Sequence, residues 1–277
     1  MISPTRITDW DDAYSNGAYI PGGDAYPQRW AAQAAAFRAT LTAAGRADLD
    51  RPYGSGARER YDLFTPTGAA RGTVVFVHGG YWMAFDKSSW SHLAAGALAH
   101  GWAVAMPGYT LCPDSRISGI TRQIGQAVEA IAAHCPGPLR LTGHSAGGHL
   151  VSRMACTDAP LRPETAARIT RVVSLSGLHD LRPLLATRMN ATLRLDAAEA
   201  AAESPALRIP RPDLPVICWA GAEERPEFRR QNALLASVWQ GLGAATAVVE
   251  SPGRHHFDVI DALADPDSAL IRTLLAD

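Results

Sequence analysis

The stretch Thr142-Gly143-His144-Ser145-Ala146-Gly147-Gly148-His149-Leu150 decides how the rest of the chain is read. It sets a serine between two glycines, directly after the apolar run Leu139-Arg140-Leu141 and before a helix-compatible run from Leu150 to Cys156. A strand, a glycine-flanked serine and a helix in that order describe a nucleophile carried on a sharp turn. Such a turn crowds main chain around a strained serine, so a Cβ at either glycine would clash. A plain glycine-rich helix start would read the same way, so the neighbouring elements have to decide.

Outward from the serine, strands and helices alternate. On the N-terminal side, Thr73-Val74-Val75-Phe76-Val77 is the continuous β-branched run of a strand buried on both faces. It ends in His78-Gly79-Gly80-Tyr81-Trp82. Residues 60–64 alternate as a shorter strand, residues 103–106 form another, and a helix is expected over 88–100. Ile117, Ile120, Ile124, Val128 and Ile131 recur every three or four residues, as on an amphipathic helix.

On the C-terminal side, strands are expected at 171–175, 215–220 and 245–249. A helix over 226–242 should turn Phe228, Leu235, Val238 and Leu242 inward, and a closing helix lies near 267–275. The alternation predicts an α/β fold, a doubly wound and mainly parallel sheet, rather than an α+β or all-β arrangement. One domain over 1–277 is the simplest organisation, since no repeat or linker interrupts the pattern.

Two segments stand apart from that pattern. Residues 1–45 form an N-terminal arm: a glycine- and proline-bearing loop over 14–27, then a helix over 28–44 with Trp30, Ala34, Phe37 and Leu41 at helical spacing. Its aromatics are expected to pin the arm to the body. Residues 181–212 read as short helices between two core strands, which suits a small helical cap inserted over a pocket.

Composition narrows the class. The chain has 277 residues, 47% hydrophobic and 19% charged, with a formal net charge of -1, so it is an ordinary folded chain without the basic stripe of a nucleic-acid binder. Its opening, Met1 to Arg6 running into Asp9-Trp10-Asp11-Asp12, lacks the apolar stretch of a signal peptide, and no run reaches the ~18 apolar residues of a membrane span. A cytoplasmic protein with a small-molecule substrate, no nucleic acid and no membrane partner is expected, and a homo-oligomer is compatible with the sequence. Cys112, Cys135, Cys156 and Cys218 form no C-x-x-C pair, and His144 and His149 are five apart rather than four. Neither metal nor cofactor is expected.

In open α/β sheets the ligand sits outside the carboxyl ends of the strands. The residues that follow the strands are therefore the candidates: Gly79 to Trp82, then Ser145, then Glu223 and Glu224, then His255 and His256. A nucleophile, an acid and a histidine thus fall at one edge in the order Ser, acid, His, which is the order of the α/β-hydrolases. A serine hydroxyl needs a base to become a nucleophile; a histidine titrating near neutrality can take its proton and pass it to the leaving group. A carboxylate behind the histidine fixes its tautomer and stabilises the imidazolium. Backbone N–H groups of Ala146, Gly80 and Tyr81 are best placed to receive the oxyanion. Tyr81 and Trp82 either pack or stack on an aromatic substrate, and His144 packs within the turn beside that substrate. His78 is expected to orient its loop through a ring-to-backbone bond.

The combination Gly143-His144-Ser145-Ala146-Gly147-Gly148 with His78-Gly79-Gly80-Tyr81-Trp82 resembles the arylformamidase (kynurenine formamidase) branch of the α/β-hydrolases. Glu224-Arg225-Pro226-Glu227-Phe228-Arg229-Arg230-Gln231 is similar to that family's acid-x-P-E-F-x-R-Q segment, and His256-Phe257-Asp258 to its H-F-D. Ser176-Gly177-Leu178-His179-Asp180-Leu181 also looks like a family loop, and the likeness spans about 61–261. The resemblance implies a Ser145, Glu224 and His256 triad, choosing Glu224 over Glu223 and His256 over His255. The family's acid is often Asp, so Glu224 is a departure. The implied reaction is removal of an N-formyl group from an arylamine such as N-formyl-kynurenine, through an acyl-enzyme. A carboxylesterase for small aryl or alkyl esters would use the same machinery. A catalytically silent binding module on this fold would be expected to have lost part of it.

Overall fold

The computed structural model describes residues 6–276. Residues 1–5, the start of the stretch read as lacking a signal peptide, lie outside the described residues, as does Asp277. One eight-stranded sheet runs through the molecule. Its strands are β1 (Ala47–Pro52), β2 (Arg60–Phe64), β3 (Thr73–Val77), β4 (Ala103–Pro107), β5 (Leu139–His144), β6 (Ile169–Leu175), β7 (Val216–Gly221) and β8 (Thr246–Ser251). They lie in the order β1-β2-β4-β3-β5-β6-β7-β8. The β1–β2 and β2–β4 pairs are antiparallel and all others parallel.

The sequence pattern explains this sheet. β3, β4 and β5 are buried along their whole length, as unbroken apolar runs must be when helices cover both faces. Side chains of β3 divide by parity: Val75 and Val77 enter one core with Leu139 and Leu141, while Val74 and Phe76 enter the other with Val104, Met106 and Val173. The helix Ile117–His134 buries all five residues of its apolar stripe. Its partner on the same face is the helix Ala146–Arg153, which starts directly after Ser145.

The chain winds from β3 outward to β4, then returns to place β5 on the other side of β3. That reversal opens a crevice at the carboxyl ends of β3 and β5, where such sheets bind ligands. The residues that emerge there are Gly79 to Tyr81 and Ser145.

Some elements differ from expectation. β1 had no apolar signature because it is a polar edge strand, alternately half-buried and exposed, with a register break between Asp48 and Arg51. Residues 88–100 divide into a 3-10 helix, Lys87–Ala94, and an α-helix, Ala95–Ala99. The helix Pro226–Gly241 stops one residue before Leu242, which is 53% exposed instead of facing the core. The arm helix, Tyr26–Ala43, packs along Lys87–Ala94 and buries Trp30, Ala34 and Leu41. Among the described residues, no helix is long and apolar enough to cross a membrane.

Candidate active site

Ser145 sits at the junction of β5 and its following helix with φ 55° and ψ −116°. A non-glycine residue held there costs on the order of 1–3 kcal/mol, so its surroundings must enforce it. They do so from both sides: the Ser145 N–H donates to the Leu175 carbonyl at 2.8 Å, and its own carbonyl accepts from the His149 N–H at 3.1 Å. The flanking glycines are sterically required. A Cβ on Gly147 would lie 1.9 Å from the Val77 carbonyl oxygen, and one on Gly143 would lie 2.4 Å from the Gly147 oxygen.

The loop after β3 approaches just as closely. A Cβ on Gly79 would come within 2.8 Å of the His144 carbonyl oxygen and 3.0 Å of the Ser145 Cβ. Gly80, Tyr81 and Trp82 all have positive φ, an unusual run that reverses the chain beside Ser145. His78 fixes the start of this turn: its Nδ1–H donates to the Gly79 carbonyl at 2.7 Å, and its ring stacks on Tyr109 at 4.4 Å. Desolvation lowers the His78 pKa to about 4, so the ring is neutral and acts as a brace. The backbone N–H groups of Gly80, Tyr81 and Ala146 donate no hydrogen bond among the described residues, which leaves three donors free around the serine.

His256 arrives on the loop after β8 and hydrogen-bonds through Nδ1 to Glu224 Oε2 at 2.7 Å. Glu224 comes from the loop after β7, and its other oxygen accepts the Gly221 N–H at 2.7 Å and the Ser176 hydroxyl. With three donors converging on it, the carboxylate is held against rotation, and the imidazole keeps Nε2 available for proton exchange. His144 supports the same loop. Its Nε2 lies 2.8 Å from the His256 carbonyl oxygen, which can only accept, so the proton of His144 is on Nε2. Burial, followed by the neighbouring His256, holds the His144 pKa well below its ordinary value.

The other members of each candidate pair face elsewhere. Glu223 is exposed. Glu227 accepts from the Tyr14 hydroxyl at 2.8 Å and pairs with Arg230 at 2.7 Å, so it anchors the arm. His255 bonds the Tyr26 hydroxyl at 3.0 Å. His179 is fully buried, with its pKa lowered to about 3 chiefly by desolvation, and Asp180 is taken by Arg182.

Above Ser145 and His256 lies a cavity of about 230 Å³. One wall is aromatic: Trp30, Phe85, Trp90 and Phe257, with Trp30 packed 4.7 Å from Trp90 and 5.3 Å from Phe257 between ring centres. Asn16, Gly17, Gly80 and Tyr81 also line the cavity. His144 borders the cavity, and so does Tyr81, whose hydroxyl donates to the Tyr14 carbonyl.

Two expectations are corrected here. Trp82 is no substrate contact: it is 0% exposed, packed edge-on to His149 at 5.1 Å, and turned into the core by its left-handed backbone. The 181–212 segment contributes no side chain to the cavity. Its carboxylates hold it against the body instead. Glu199 accepts from Arg116 at 2.6 Å and the Ser118 N–H at 3.0 Å; Glu203 accepts from Thr121 at 2.7 Å and Arg153 at 3.2 Å.

Sequence reasoning missed Trp30, Phe85, Trp90 and Phe257 as a wall, and it missed Asn16 and Ser176. Ser176 carried a signal as the first residue of the loop resembling the family's, and Phe257 as the middle residue of the segment similar to H-F-D; the φ of 52° at Ser176 turns its hydroxyl toward Glu224. Among the described residues, no three His, Cys, Asp or Glu side chains gather as a metal centre would require.

The BD-FAE family model matches residues 61–207, more than half of the chain. A kynurenine formamidase of Salmo salar is 29% identical over 238 residues, covering 82% of this chain and 80% of its own. A solved protein of Silicibacter sp., assigned provisionally as a thioesterase, is 53% identical with a TM-score of 0.91, covering 97% of this chain and 99% of its own. Esterase B of Lactobacillus rhamnosis shares the fold at 19% identity and a TM-score of 0.68, over 89% of this chain and 95% of its own. The chain belongs to the BD-FAE family and is a hydrolase of the α/β-hydrolase fold resembling the kynurenine formamidases.

Proposed function

We propose that the chain is a serine hydrolase that removes the N-formyl group of an arylamine, N-formyl-kynurenine being the type substrate. Ser145 Oγ attacks the formyl carbon while His256 Nε2 takes its proton. The oxyanion is received by the N–H groups of Gly80, Tyr81 and Ala146, each worth about 100- to 1000-fold in rate by analogy with such donors elsewhere. His256, oriented by Glu224, then gives the proton to the departing amine, leaving a formyl ester on Ser145. Water, deprotonated by the same histidine, attacks that ester and releases formate. Binding of the aryl group falls to the aromatic wall, with Tyr81 and His144 on the near side.

The observation that carries this reading is the aromatic wall standing directly over the Ser145 and His256 pair. Trp30, Phe85, Trp90 and Phe257 make that lining aromatic, which suits a flat aryl leaving group that gains from offset or edge-on stacking. The name of the Salmo salar relative points to the same chemistry. The 53% identical Silicibacter protein favours a second reading, hydrolysis of a thioester or ester, since the same machinery works on any acyl carbonyl. Measuring kcat/KM side by side on N-formyl-kynurenine and a short 4-nitrophenyl ester separates the two. Efficient release of formate is expected. Negligible formamide cleavage beside brisk ester hydrolysis would hand the chain to the second reading.

A further inference from the structure

Among the described residues, the polar side-chain atoms that line the cavity outside the Ser145 turn and the His256 loop are the Asn16 amide, the Tyr81 hydroxyl already given to Tyr14, and the Trp30 and Trp90 indole N–H groups, so the Asn16 oxygen is the free acceptor of this set. Asn16 comes from the arm, is only 6% exposed, and does no work for its own segment: it precedes the 3-10 turn Gly17–Tyr19 without capping it. Its amide orientation follows from its neighbour. The Tyr81 hydroxyl spends its proton on the Tyr14 carbonyl, so toward Asn16 it can only accept, and the group it meets at 3.5 Å is Nδ2. Oδ1 is therefore the atom left over, and it is buried without a hydrogen-bond partner.

An acceptor stranded in this way costs on the order of 1–3 kcal/mol, so it calls for an explanation. The hydrogen bond of its amide is the long contact to Tyr81, and the residue lines the cavity. Among the described residues, no Lys, Arg, Asp or Glu lines the cavity. The part of a ligand enclosed there is thus uncharged, because an unpaired charge would be stripped of water with nothing to replace it.

We propose that Asn16 is a specificity-determining residue whose side-chain carbonyl accepts the N–H of an aryl-amide substrate. The proposal rests on the formamide reading above and adds to it the group that tells an amide from an ester: an N–H donates to Oδ1, whereas an ester oxygen in its place cannot. Asn16 touches the scissile nitrogen only through its N–H and supplies no proton.

The test compares formanilide with phenyl formate, which differ by N–H against O, in the wild type and in Asn16→Leu and Asn16→Ala. Both variants should lose about tenfold in kcat/KM on formanilide, as expected for one hydrogen bond, and less than about twofold on phenyl formate. An equal loss on both substrates, or no loss on either, overturns the proposal; melting temperatures of the variants identify a loss caused by misfolding, and Asn16→Ala then stands in for Asn16→Leu. If the wild type cleaves phenyl formate but no formamide, the formamide reading falls separately. Formanilide and N-methylformanilide are then compared as competitive inhibitors of phenyl formate hydrolysis. Tighter inhibition by the N–H compound that disappears in Asn16→Leu upholds the assignment of Asn16, and equal inhibition by the pair overturns it.

Discussion

The arm and the 181–212 segment are both additions to the same sheet, and only the arm builds the cavity. The arm reaches the cavity with an indole, a glycine and an amide: Trp30, Gly17 and Asn16. It is held there by polar ties to the acid-bearing loop, with Tyr14 bonded to Glu227 and Arg225 paired with Asp12 and lying 3.6 Å over the Tyr19 ring. Because Arg225 follows Glu224 directly, arm and acid are seated together. The 181–212 segment meets the arm through Arg188 and Asp11, but it spends its buried carboxylates on Arg116, Thr121 and Arg153. Position between core strands does not make a cap; where the buried carboxylates find partners does.

The comparison can be broken most sharply by filling the arm's side of the cavity. Gly17 has room for a side chain, since a Cβ there would stand 3.7 Å from Phe257, an ordinary contact. Gly17→Leu should cut kcat/KM on an aryl formamide by on the order of 100-fold through lost substrate positioning, with the melting temperature nearly unchanged. Glu203→Ala should do the reverse. Removing one partner of that buried cluster should cost about 3–5 kcal/mol in denaturant unfolding while kcat/KM stays within about twofold. Loss of activity in the second variant without loss in the first would return the segment to the role of a cap.

A smaller effect sharpens the same contrast. His149 donates through Nε2 to the Glu203 carbonyl at 2.7 Å, and His179 lies close by. Desolvation lowers both pKa values to about 3. In the unfolded chain each would titrate near its ordinary value of about 6.5. Between those values the unfolded state binds more protons, so the stability from keeping these rings neutral is full above about pH 6.5 and is lost as pH falls toward 3. Denaturant unfolding at pH 7 and pH 5 should show this decline, and His149→Gln should make it shallower. Identical declines in variant and wild type would remove His149 from the account.

How much of this was legible in the sequence follows from distance along the chain. The serine turn was readable because its clashes are local: Gly143, Ser145 and Gly147 lie within one turn, and the residue that meets Gly147 ends the neighbouring β3. The acid and histidine were readable as strand-end residues, though choosing Glu224 and His256 over their neighbours needed the family likeness. The aromatic wall was not readable. Trp30 and Phe257 are far apart in sequence, and nothing in either segment states that they meet. Tyr81 and Trp82 show a second limit. They are adjacent aromatics on one loop, yet consecutive positive φ values send one ring to the cavity and the other to the core. In 181–212, nothing in the sequence singles out Glu199 and Glu203, and the arginines brought in from elsewhere reveal them as anchors.

The claim on which everything else depends is that Ser145 is the nucleophile of a deformylation. It is tested by following formate and arylamine release from N-formyl-kynurenine in the wild type and in Ser145→Ala. The account predicts the two products in equal amounts from the wild type and a fall of at least about 10,000-fold in kcat for the variant. Formate release that survives the loss of the Ser145 hydroxyl would contradict it.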